Sequence, residues 1–433
     1  MATTRRQFIQ NGLGFVSLGL TMPGFLLRAS EAVAQEKSTP AAMLKGTSGK
    51  ILVVIEMSGG NDGLNTVMPY ALPEYSKARP NIAITKEQAL QIGASNGMQL
   101  GMHPNLKALH GMYDKGQVAV VTGVGYPNPN RSHFESSDVW QMGDPDSKRS
   151  REGWLARYFD ADGHLKNASL PGIALGEQLP LMLKGPGSAA AVIGNGGDYG
   201  FGTNAPDKDQ QMAAFNAMYA PEGVLKSGTR GGTAAGSSDE FIRNVGNEVY
   251  TSTQAIKDAI NRYDARAGEK ANYPGNNYLA SRLQTIAKLI TGGLETRVYY
   301  ASIGGFDTHA NQLGGHANLM GNLGDAIAAF NKDLELQGRG KDVMVMTFSE
   351  FGRRVHENGS QGTDHGAASV LFVAGGAVKG GVYGGYPSLT DLDDGDLKMT
   401  TDFRSVYSAI LDNWLGASST IVLGDKFAPL KFV

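Results

Sequence analysis

Polar side chains that can bind a ligand flank two short apolar runs in the last third of the chain. Glu350 closely follows Val343–Phe348, and Asp364 and His365 precede Ser369–Ala374. Both runs contain β-branched residues and are short and apolar, which is typical of buried strands. Because open α/β folds bind ligands at the carboxyl edge of the sheet, a carboxylate where such a strand ends is a candidate binding group.

A second acidic and histidine pair follows another predicted strand, at residues 297–303. Asp307 and His309 lie two residues apart, so they share one face if the segment is extended. Carboxylate and imidazole groups, in a chain without cysteine, fit a divalent ion, and the sequence does not distinguish Zn²⁺, Mn²⁺, Mg²⁺ and Ca²⁺. Taken alone, each pair is more often part of a helix cap or a turn than a set of metal ligands.

A glycine-rich loop follows the first predicted strand, at residues 51–55. The loop reads SGGNDGLN at residues 58–65, and Asp62 is its only charge. Its glycines allow the backbone to approach a ligand closely. This loop and the three that carry the residues above are predicted to emerge at the carboxyl edge of one parallel sheet, where we expect a polar active site with one or two metal ions. The candidate metal ligands are Asp62, Asp307, His309, Glu350, Asp364 and His365.

A serine and a histidine follow the strand predicted at residues 118–122. If a helix begins near Phe134, Ser132 lies at its N-cap, where backbone N–H groups and the helix dipole favour an anion. This position suits a nucleophile for phosphoryl or sulfuryl transfer, with Arg131 steadying the anion. An ordinary N-cap serine explains the same spacing. The candidate catalytic residues are Ser132, His133 and Arg131.

Arg353 lies three residues after Glu350, where it either binds an oxyanion or faces water. The remaining histidines lie in no comparable motif, and we interpret them as surface or packing residues, with His316 and His356 the first to reconsider. These histidines are His103, His110, His164, His316 and His356.

Composition excludes several classes of function. The 433 residues include 39 basic and 41 acidic side chains, and this net charge of −2 offers no long-range field for nucleic acid or anionic lipid. With no cysteine, the chain has no disulfide, thiolate metal site, iron–sulfur cluster or cysteine nucleophile. Its 59 glycines indicate many tight turns and close backbone contacts.

The N-terminus resembles a twin-arginine export signal. Paired arginines in TRRQFI at residues 4–9 precede a weakly apolar run at 12–27 and the sequence AVA at 32–34. We therefore expect a signal peptide at residues 1–34, export of the folded protein by the twin-arginine translocase, a periplasmic location and no stable membrane insertion after cleavage. The alternatives are an uncleaved anchor or a basic tail, but the run is short and broken by glycine.

The elements that position these residues alternate between strands and helices, after a linker at residues 35–48. The predicted fold is α/β, a doubly wound and mostly parallel sheet with helices on both faces, formed by one domain at 49–433 with a helical and loop insertion at about 185–294. Within it, residues 185–204 read as irregular loops and 227–238 as a flexible linker. A further strand is predicted at 170–175. Helices are predicted at 104–115, in parts of 135–159, and at 240–265, 278–294, 317–336 and 401–415. Thr400 or Thr401 is the predicted cap of the last helix.

Five motifs resemble the bacterial family called domain of unknown function 1501, in order along nearly all of the chain after the export signal. They are SGGNDGLNTVMPY at residues 58–70, NRSHFESSDVWQMG at 130–143, GGFDTHANQ at 304–312, TFSEFGRRVHENGSQGTDHG at 347–366 and TTDFRSVY at 400–407. That family is similar to alkaline phosphatases and sulfatases. The resemblance implies a doubly wound core that binds up to two metal ions at its carboxyl edge.

The resemblance also implies individual roles. Asp62, or Asn61 in its place, corresponds to the metal carboxylate after the first strand, and Ser132 to the nucleophile. Asp307 and His309 correspond to a carboxylate and histidine pair whose usual separation is wider. The superfamily also has a later Asp-His pair at the end of a strand. This pair corresponds either to Ser349-Glu350, which has no histidine, or to Asp364-His365. Asn61 and Arg353 are the candidate anion-binding residues.

These features predict an exported metal-dependent hydrolase of phosphate or sulfate esters, acting on a small molecule or a glycan. One alternative is a catalytically degenerate relative that binds a ligand, glycan or partner without turnover. Another is an exported protein that carries a cofactor, although no motif in the chain resembles a nucleotide, haem or iron–sulfur site.

Overall fold

The computed structural model describes residues 49–146, 151–165, 168–186, 190–194 and 251–433. A nine-stranded sheet forms the centre of this part of the chain. The strands, numbered in chain order, are β1 Ile51–Met57, β2 Val67–Met68, β3 Leu90–Ser95, β4 Met98–Met102, β5 Val118–Gly125, β6 Gly172–Leu175, β7 Ala191–Ile193, β8 Val298–Ile303, β9 Val343–Phe348, β10 Ser369–Ala374, β11 Gly381–Tyr383, β12 Leu392–Asp393, β13 Asp396–Leu397 and β14 Thr401–Asp402.

The large sheet has the order β11-β5-β10-β9-β1-β8-β6-β7, and β14 also pairs with β5. Neighbouring strands are parallel except at β10, which runs antiparallel to both β5 and β9. A separate antiparallel sheet contains β2, β4 and β3, and β12 pairs with β13. The predicted mostly parallel α/β sheet is therefore confirmed.

Helices cover both faces of the large sheet. They are α1 Gly63–Thr66, α2 Pro73–Ala78, α3 Lys107–Asp114, α4 His133–Met142, α5 Trp154–Ala161, α6 Ala265–Ala271, α7 Tyr278–Thr291, α8 Gln312–Leu336, α9 Phe403–Ile410 and α10 Ser419–Leu423, with a 3₁₀ turn at Leu181–Leu183, a π-helical turn at Leu411–Leu415 and a helical segment at residues 251–262. Val53 and Ile55 of β1 pack in a core with α3, α7 and α8, whereas Leu52 and Val54 pack in a core with α4, α5 and α9. Alternate residues of one strand thus point into two helical layers, as expected for a buried central strand.

The antiparallel direction of β10 explains how its preceding residues reach the carboxyl edge. The chain leaves β9 at that edge and returns through β10 without an intervening helix, and Arg353 and His365 form an antiparallel bridge on the way. In a parallel β10, residues 364 and 365 would lie at the opposite edge of the sheet. Here they lie near Glu350, at the same edge as the ends of β1, β5 and β8.

The structure corrects several predicted boundaries. The helix predicted at residues 317–336 is α8 and begins earlier, at Gln312. The helix predicted at 401–415 is capped by Asp402, whose side chain accepts from the backbone N–H of Arg404, and not by Thr400 or Thr401. β7 occupies part of the segment predicted as irregular at 185–204, and the hairpin of β3 and β4 has no counterpart in the sequence-based prediction.

Several predictions lie wholly or partly outside the described residues. The export signal with its linker, at residues 1–48, and the flexible linker at 227–238 lie wholly outside, as do residues 195–204 of the predicted irregular loops and 240–250 of the predicted helix at 240–265. None of the helices in the described ranges is both long and apolar enough to cross a membrane.

Candidate metal centre at the carboxyl edge of the sheet

Three histidines converge on one aspartate at the carboxyl edge, and we call the group of His133, Asp307, His309 and His365 the open cluster. His133 begins α4 after β5, Asp307 and His309 follow β8, and His365 precedes β10. The Nε2 atoms of His309 and His365 lie 2.9 and 3.1 Å from Asp307 Oδ1 and 3.0 Å from each other. His133 Nε2 lies 3.6 Å from Asp307 Oδ2. The fold thus brings together residues that lie far apart in the sequence.

Each of these histidines is held by an oxygen at its other ring nitrogen. The Nδ1 atoms of His133 and His309 lie 2.8 Å from Glu350 Oε1 and 3.3 Å from Asp364 Oδ1. His365 Nδ1 donates to the carbonyl oxygen of Arg131 at 2.9 Å. Because a neutral imidazole donates at only one nitrogen, this arrangement leaves the Nε2 lone pairs directed at Asp307. Histidine ligands of metals are usually fixed in this way.

The donor set fits a divalent cation. Asp307 Oδ1 and the Nε2 atoms of His309 and His365 are three electron-pair donors about 3 Å apart. Arg353 donates to Asp307 Oδ1 and lies 3.4 Å from His309 Nε2, and a further cation or a proton among the three atoms would offset their remaining repulsion. Zinc binds nitrogen and oxygen ligands at roughly 2.0–2.2 Å, which is compatible with this spacing. His133, Asp307 and His365 also offer one atom each within 4.8 Å of one another.

The local charges favour a cation at this position. Partial burial by itself raises the pKa of Asp307, but the hydrogen bond from the Arg353 guanidinium outweighs this effect and lowers the pKa to about 2. The hydrogen bond from Asn358 lowers the pKa of Asp364. Both carboxylates are therefore charged at neutral pH. Asp307 lies among the histidine Nε2 atoms, and Asp364 lies beside the Nδ1 atom of His309.

Aromatic packing fixes the histidine rings further. The ring of Phe351 lies 4.9 Å from that of His133 and 4.7 Å from that of His365, and the two imidazole rings are 4.5 Å apart. Since His133 also contacts Glu350, it joins the end of β9 to the segment before β10. Glu350 and His365 therefore meet through His133, and Glu350 holds a histidine where the sequence predicted a metal ligand.

Arg353 is buried beneath the open cluster and connects three loops. Its guanidinium donates to the carbonyl oxygens of Gly59, Gly60, Phe306 and Thr363 and to Asp307 Oδ1, the last at 2.6 Å. Only 1% of Arg353 is exposed, and these acceptors occupy its Nε and both Nη atoms. The predicted anion-binding role is therefore corrected, because Arg353 positions the loops around Asp307.

The glycine-rich loop after β1 also serves as a support. Gly59 has φ +119°, and a Cβ atom there would lie 2.4 Å from the backbone nitrogen of Asp307. The Gly59 N–H donates to Glu350 Oε1 at 2.8 Å. This loop therefore packs against Asp307 and Glu350 so closely that only glycine fits.

Asp62 belongs to a different group, which we call the buried cluster: Asn61, Asp62, Arg79, Gln312 and His316. Asp62 Oδ1 accepts from the backbone of α1, and Oδ2 accepts from Arg79 at 2.5 Å and from Gln312. Burial by itself raises the pKa of Asp62, but the Arg79 guanidinium outweighs it and lowers the pKa. With both oxygens engaged, Asp62 does not join the open cluster, which corrects its predicted role as a metal ligand.

Asn61 and two histidines complete the buried region. Asn61 Oδ1 accepts from the Thr66 hydroxyl at 3.0 Å and lies 3.2 Å from His316 Nε2, and the residue is fully buried, which corrects its predicted anion-binding role. Burial lowers the pKa of His316 to about 4 and that of His103 to about 3. Both rings are neutral at pH 7, in agreement with their interpretation as packing residues.

A family model described as "Protein of unknown function (DUF1501)" matches residues 118–414. The chain belongs to the DUF1501 family. This result confirms the resemblance found in its motifs. No curated protein matches the sequence of this DUF1501 member.

Among solved structures, this DUF1501 chain is similar to a protein of the alkaline phosphatase superfamily from Vibrio parahaemolyticus, with 10% identity, a TM-score of 0.39 and coverage of 93% of this chain and 78% of the other. It is similar to the lipoteichoic acid synthase LtaP from Listeria monocytogenes, with 7% identity, a TM-score of 0.34 and coverage of 92% and 81%. For the alkaline phosphatase from the Antarctic bacterium TAB5, the values are 12%, 0.29, 77% and 95%. With TM-scores this low, the assignments below depend on this chain's own residues.

Ser132 of this DUF1501 protein is the N-cap of α4, next to the open cluster. Its backbone N–H donates to Asn130 Oδ1 at 2.7 Å, and its hydroxyl makes no capping hydrogen bond with the helix. The preceding residue, Arg131, supplies the carbonyl oxygen that accepts from His365, and the following residue is His133. The hydroxyl is therefore not used by the helix and lies between two residues that contact the open cluster.

The side chain of Arg131 points elsewhere. It forms ion pairs with Asp394 at 3.1 Å and Asp396 at 2.8 Å, so its predicted role in steadying an anion beside Ser132 is corrected. His133, predicted as a catalytic residue, lies with the candidate metal ligands instead. Because His133 follows β5 and Asp307 follows β8, both at the carboxyl edge of the sheet, the sequence could have indicated that His133 lies near the metal ligands. Asp364 holds the Nδ1 atom of His309, which the sequence did not indicate.

Proposed function

We propose that this DUF1501 protein is an exported metal-dependent hydrolase of phosphate or sulfate esters. The observation that supports it is the convergence of three histidine Nε2 atoms on Asp307, each ring fixed from behind by an oxygen. Asp307, His309 and His365 would hold one divalent ion, with His133 at its side. Such an ion, when bound, neutralises negative charge on the ester oxygens and on the attacking oxygen.

Ser132 is the proposed nucleophile. Its hydroxyl loses a proton, its Oγ forms a bond to phosphorus or sulfur, and the bond from that atom to the ester oxygen breaks, so that the alcohol leaves with a proton. Water then releases phosphate or sulfate from the serine. The free backbone N–H groups at the start of α4 lie where they favour an anion on this side of the site. His133, at the first helical position, joins this anion site to the proposed metal ligands.

Export is part of the proposal and depends on the twin arginines and AVA sequence at residues 4–34. The twin-arginine translocase would carry the folded protein to the periplasm. Fractionation of cells tests this step, with the original chain compared with a double variant that combines Arg5→Lys and Arg6→Lys. Periplasmic protein from the original chain only is expected, and equal export of the double variant would contradict it.

Substitution of Ser132 tests catalysis. We expect Ser132→Ala to abolish hydrolysis of p-nitrophenyl phosphate or p-nitrophenyl sulfate while the bound metal, measured by elemental analysis, is unchanged. Ser132→Thr is the matched control, since it keeps a hydroxyl, and should retain part of the activity. Unchanged turnover in Ser132→Ala would remove Ser132 as the nucleophile.

One observation favours a second candidate, a binding protein without turnover. Arg353 is engaged by loop acceptors, and Asn61 is fully buried with an unpartnered Nδ2, so neither presents an accessible group to an anion. Elemental analysis separates the two candidates, since absence of bound metal after expression in metal-replete medium favours the binding protein.

A further inference from the structure

One asparagine behind the open cluster bonds to two parts of the same histidine. The Nδ2 group of Asn358 donates to the backbone carbonyl oxygen of His309 and to Asp364 Oδ1, each at 3.0 Å. Asp364 Oδ1 in turn lies 3.3 Å from His309 Nδ1. The two N–H bonds of one amide therefore reach His309 directly at its backbone and, through Asp364, at its ring.

The oxygen of the same amide is also engaged. Asn358 Oδ1 accepts from the backbone N–H groups of Ser360 at 2.9 Å and Gly362 at 3.1 Å. Both donors and both lone pairs of the amide thus have partners. An aspartate of the same shape would keep the two bonds to the backbone N–H groups. It would lose both donated bonds and would place a second negative charge beside Asp364.

The segment that contains Asn358 also packs along the start of α8 through backbone groups. The N–H groups of Asn311 and Gln312 donate to carbonyl oxygens of this segment, each at 2.9 Å. These bonds set the path of the chain next to His309, but they do not fix the rotation of its side chain. The direction of the ring depends on side-chain contacts instead.

Asp364 depends on Asn358 because its side chain is 56% exposed. Among the described residues, the hydrogen-bond partners of its carboxylate are the Asn358 amide and the His309 ring. The bond from Asn358 also lowers the pKa of Asp364, so the carboxylate is charged at neutral pH and accepts from both groups. Without the amide, Asp364 is free to turn into water and leave His309 Nδ1 without its acceptor.

We propose that Asn358 is a positioning residue for the metal centre: it holds Asp364 against His309 Nδ1 and thereby directs His309 Nε2 at Asp307. The inference rests on the proposed function, because it takes His309 and Asp307 as ligands of the divalent ion. His309 Nε2 lies 2.9 Å from Asp307 Oδ1, so rotation of the ring would remove a nitrogen from the ligand set.

Asn358→Asp tests this inference in the full folded protein at about pH 8, where both carboxylates are charged. We expect Zn²⁺ affinity, measured by competition with a chelator, to fall roughly tenfold, the lower end of the range for groups that support a ligand. The added charge by itself attracts a cation, so weaker binding would come from the lost position of His309. Asn358→Ala, which removes the amide without adding charge, should weaken binding as well.

Cobalt separates positioning from a general loss of structure. The visible absorption of bound Co²⁺ depends on the number and kind of its ligands, so the spectrum should change in Asn358→Asp if His309 turns away. Asn105→Asp is the matched control, because the Asn105 amide donates to the Ala317 carbonyl oxygen of α8 at 2.8 Å, and both Zn²⁺ affinity and the Co²⁺ spectrum should be unchanged. Unchanged Zn²⁺ affinity in Asn358→Asp, or weaker binding with an unchanged Co²⁺ spectrum, would overturn the inference.

Failure of this inference is distinguishable from failure of the proposed function. Equal Zn²⁺ affinity of the original protein and Asn358→Asp, with hydrolysis of p-nitrophenyl phosphate or sulfate, would overturn the role of Asn358 and leave the hydrolase. Zn²⁺ binding that depends on Asn358, with no hydrolysis of either ester, would support this role and overturn the hydrolase. Absence of Zn²⁺ and Co²⁺ binding in the original protein would overturn both.

Discussion

The open cluster and the buried cluster contain the same kinds of side chain and use them differently. In the buried cluster, Asp62 and Arg79 are fully buried, and both carboxylate oxygens accept from protein donors. In the open cluster, Asp307 and His309 have side chains that are 48% and 44% exposed, and the Nε2 atoms face one another across the aspartate. The comparison teaches that exposure and the kind of partner separate a structural carboxylate from a candidate metal ligand, since Asp62 is buried among donors and Asp307 is half exposed among imidazole nitrogens and one arginine.

The largest expected effect is on stability, at Arg79. Arg79→Met leaves Asp62 buried without its ionic partner, and removal of one member of a buried ion pair costs about 3–5 kcal/mol. Urea denaturation measures this change in the free energy of unfolding. Arg151→Ala, which breaks an exposed pair with Asp138, is the matched control and should change stability little. A similar small loss in both variants would mean that the buried cluster contributes no more than a surface ion pair.

The second effect depends on pH, through His316. Its folded-state pKa of about 4 is below the ordinary value of 6.5, because the ring is buried. Between these values the unfolded chain binds a proton that the folded protein excludes, so stability is present above pH 6.5 and falls as the pH drops toward 4. The full difference is about 3 kcal/mol.

His316→Gln provides the comparison for this pH effect. The variant removes the titrating ring, so its unfolding free energy should fall less between about pH 7 and about pH 4.5 than that of the original protein. Parallel curves for the two proteins would show that His316 binds a proton equally well in the folded and the unfolded states. The buried cluster would then not exclude the proton from His316.

The smallest expected effect on stability, with a clear effect on metal binding, is at Asp307. Asp307→Asn keeps the shape of the side chain and leaves Arg353 its four carbonyl acceptors. Zn²⁺ affinity, measured by competition with a chelator, should fall by at least about tenfold, since even groups that only support a ligand contribute roughly 10–100-fold. Asp62→Asn should leave Zn²⁺ affinity unchanged. A loss of affinity in Asp62→Asn and none in Asp307→Asn would place the metal site in the buried cluster instead.

Much of the fold follows from local patterns in the sequence. The runs at β1, β9 and β10 are apolar because both faces of a central strand are buried, and this pattern is visible without the structure. The direction of β10 is not local information. It depends on pairing with β5 and β9, and it decides that Asp364 and His365 reach the same edge as Glu350.

The division of the site into two clusters was not predictable in the same way. Asp62 and Asp307 both follow central strands and both pair with an arginine, Arg79 and Arg353, but only Asp62 is fully buried with its partner. Arg353 resembles a surface arginine in the sequence and is buried because backbone carbonyls of three loops surround it. Such partners depend on tertiary packing, so residue type and spacing indicated the edge and not the ligand set.

The antiparallel bridge between Arg353 and His365 spans only 12 positions, whereas His133 and Glu350 are 217 apart. The longer closure corresponds to about four doublings of loop length, which adds about 2–3 kcal/mol of chain entropy. Formation of the contact between His133 and Glu350 therefore loses more chain entropy than formation of the bridge between Arg353 and His365. We expect the segment between β9 and β10 to become ordered early in folding. We expect the start of α4 to pack against it last and to separate from it first on heating.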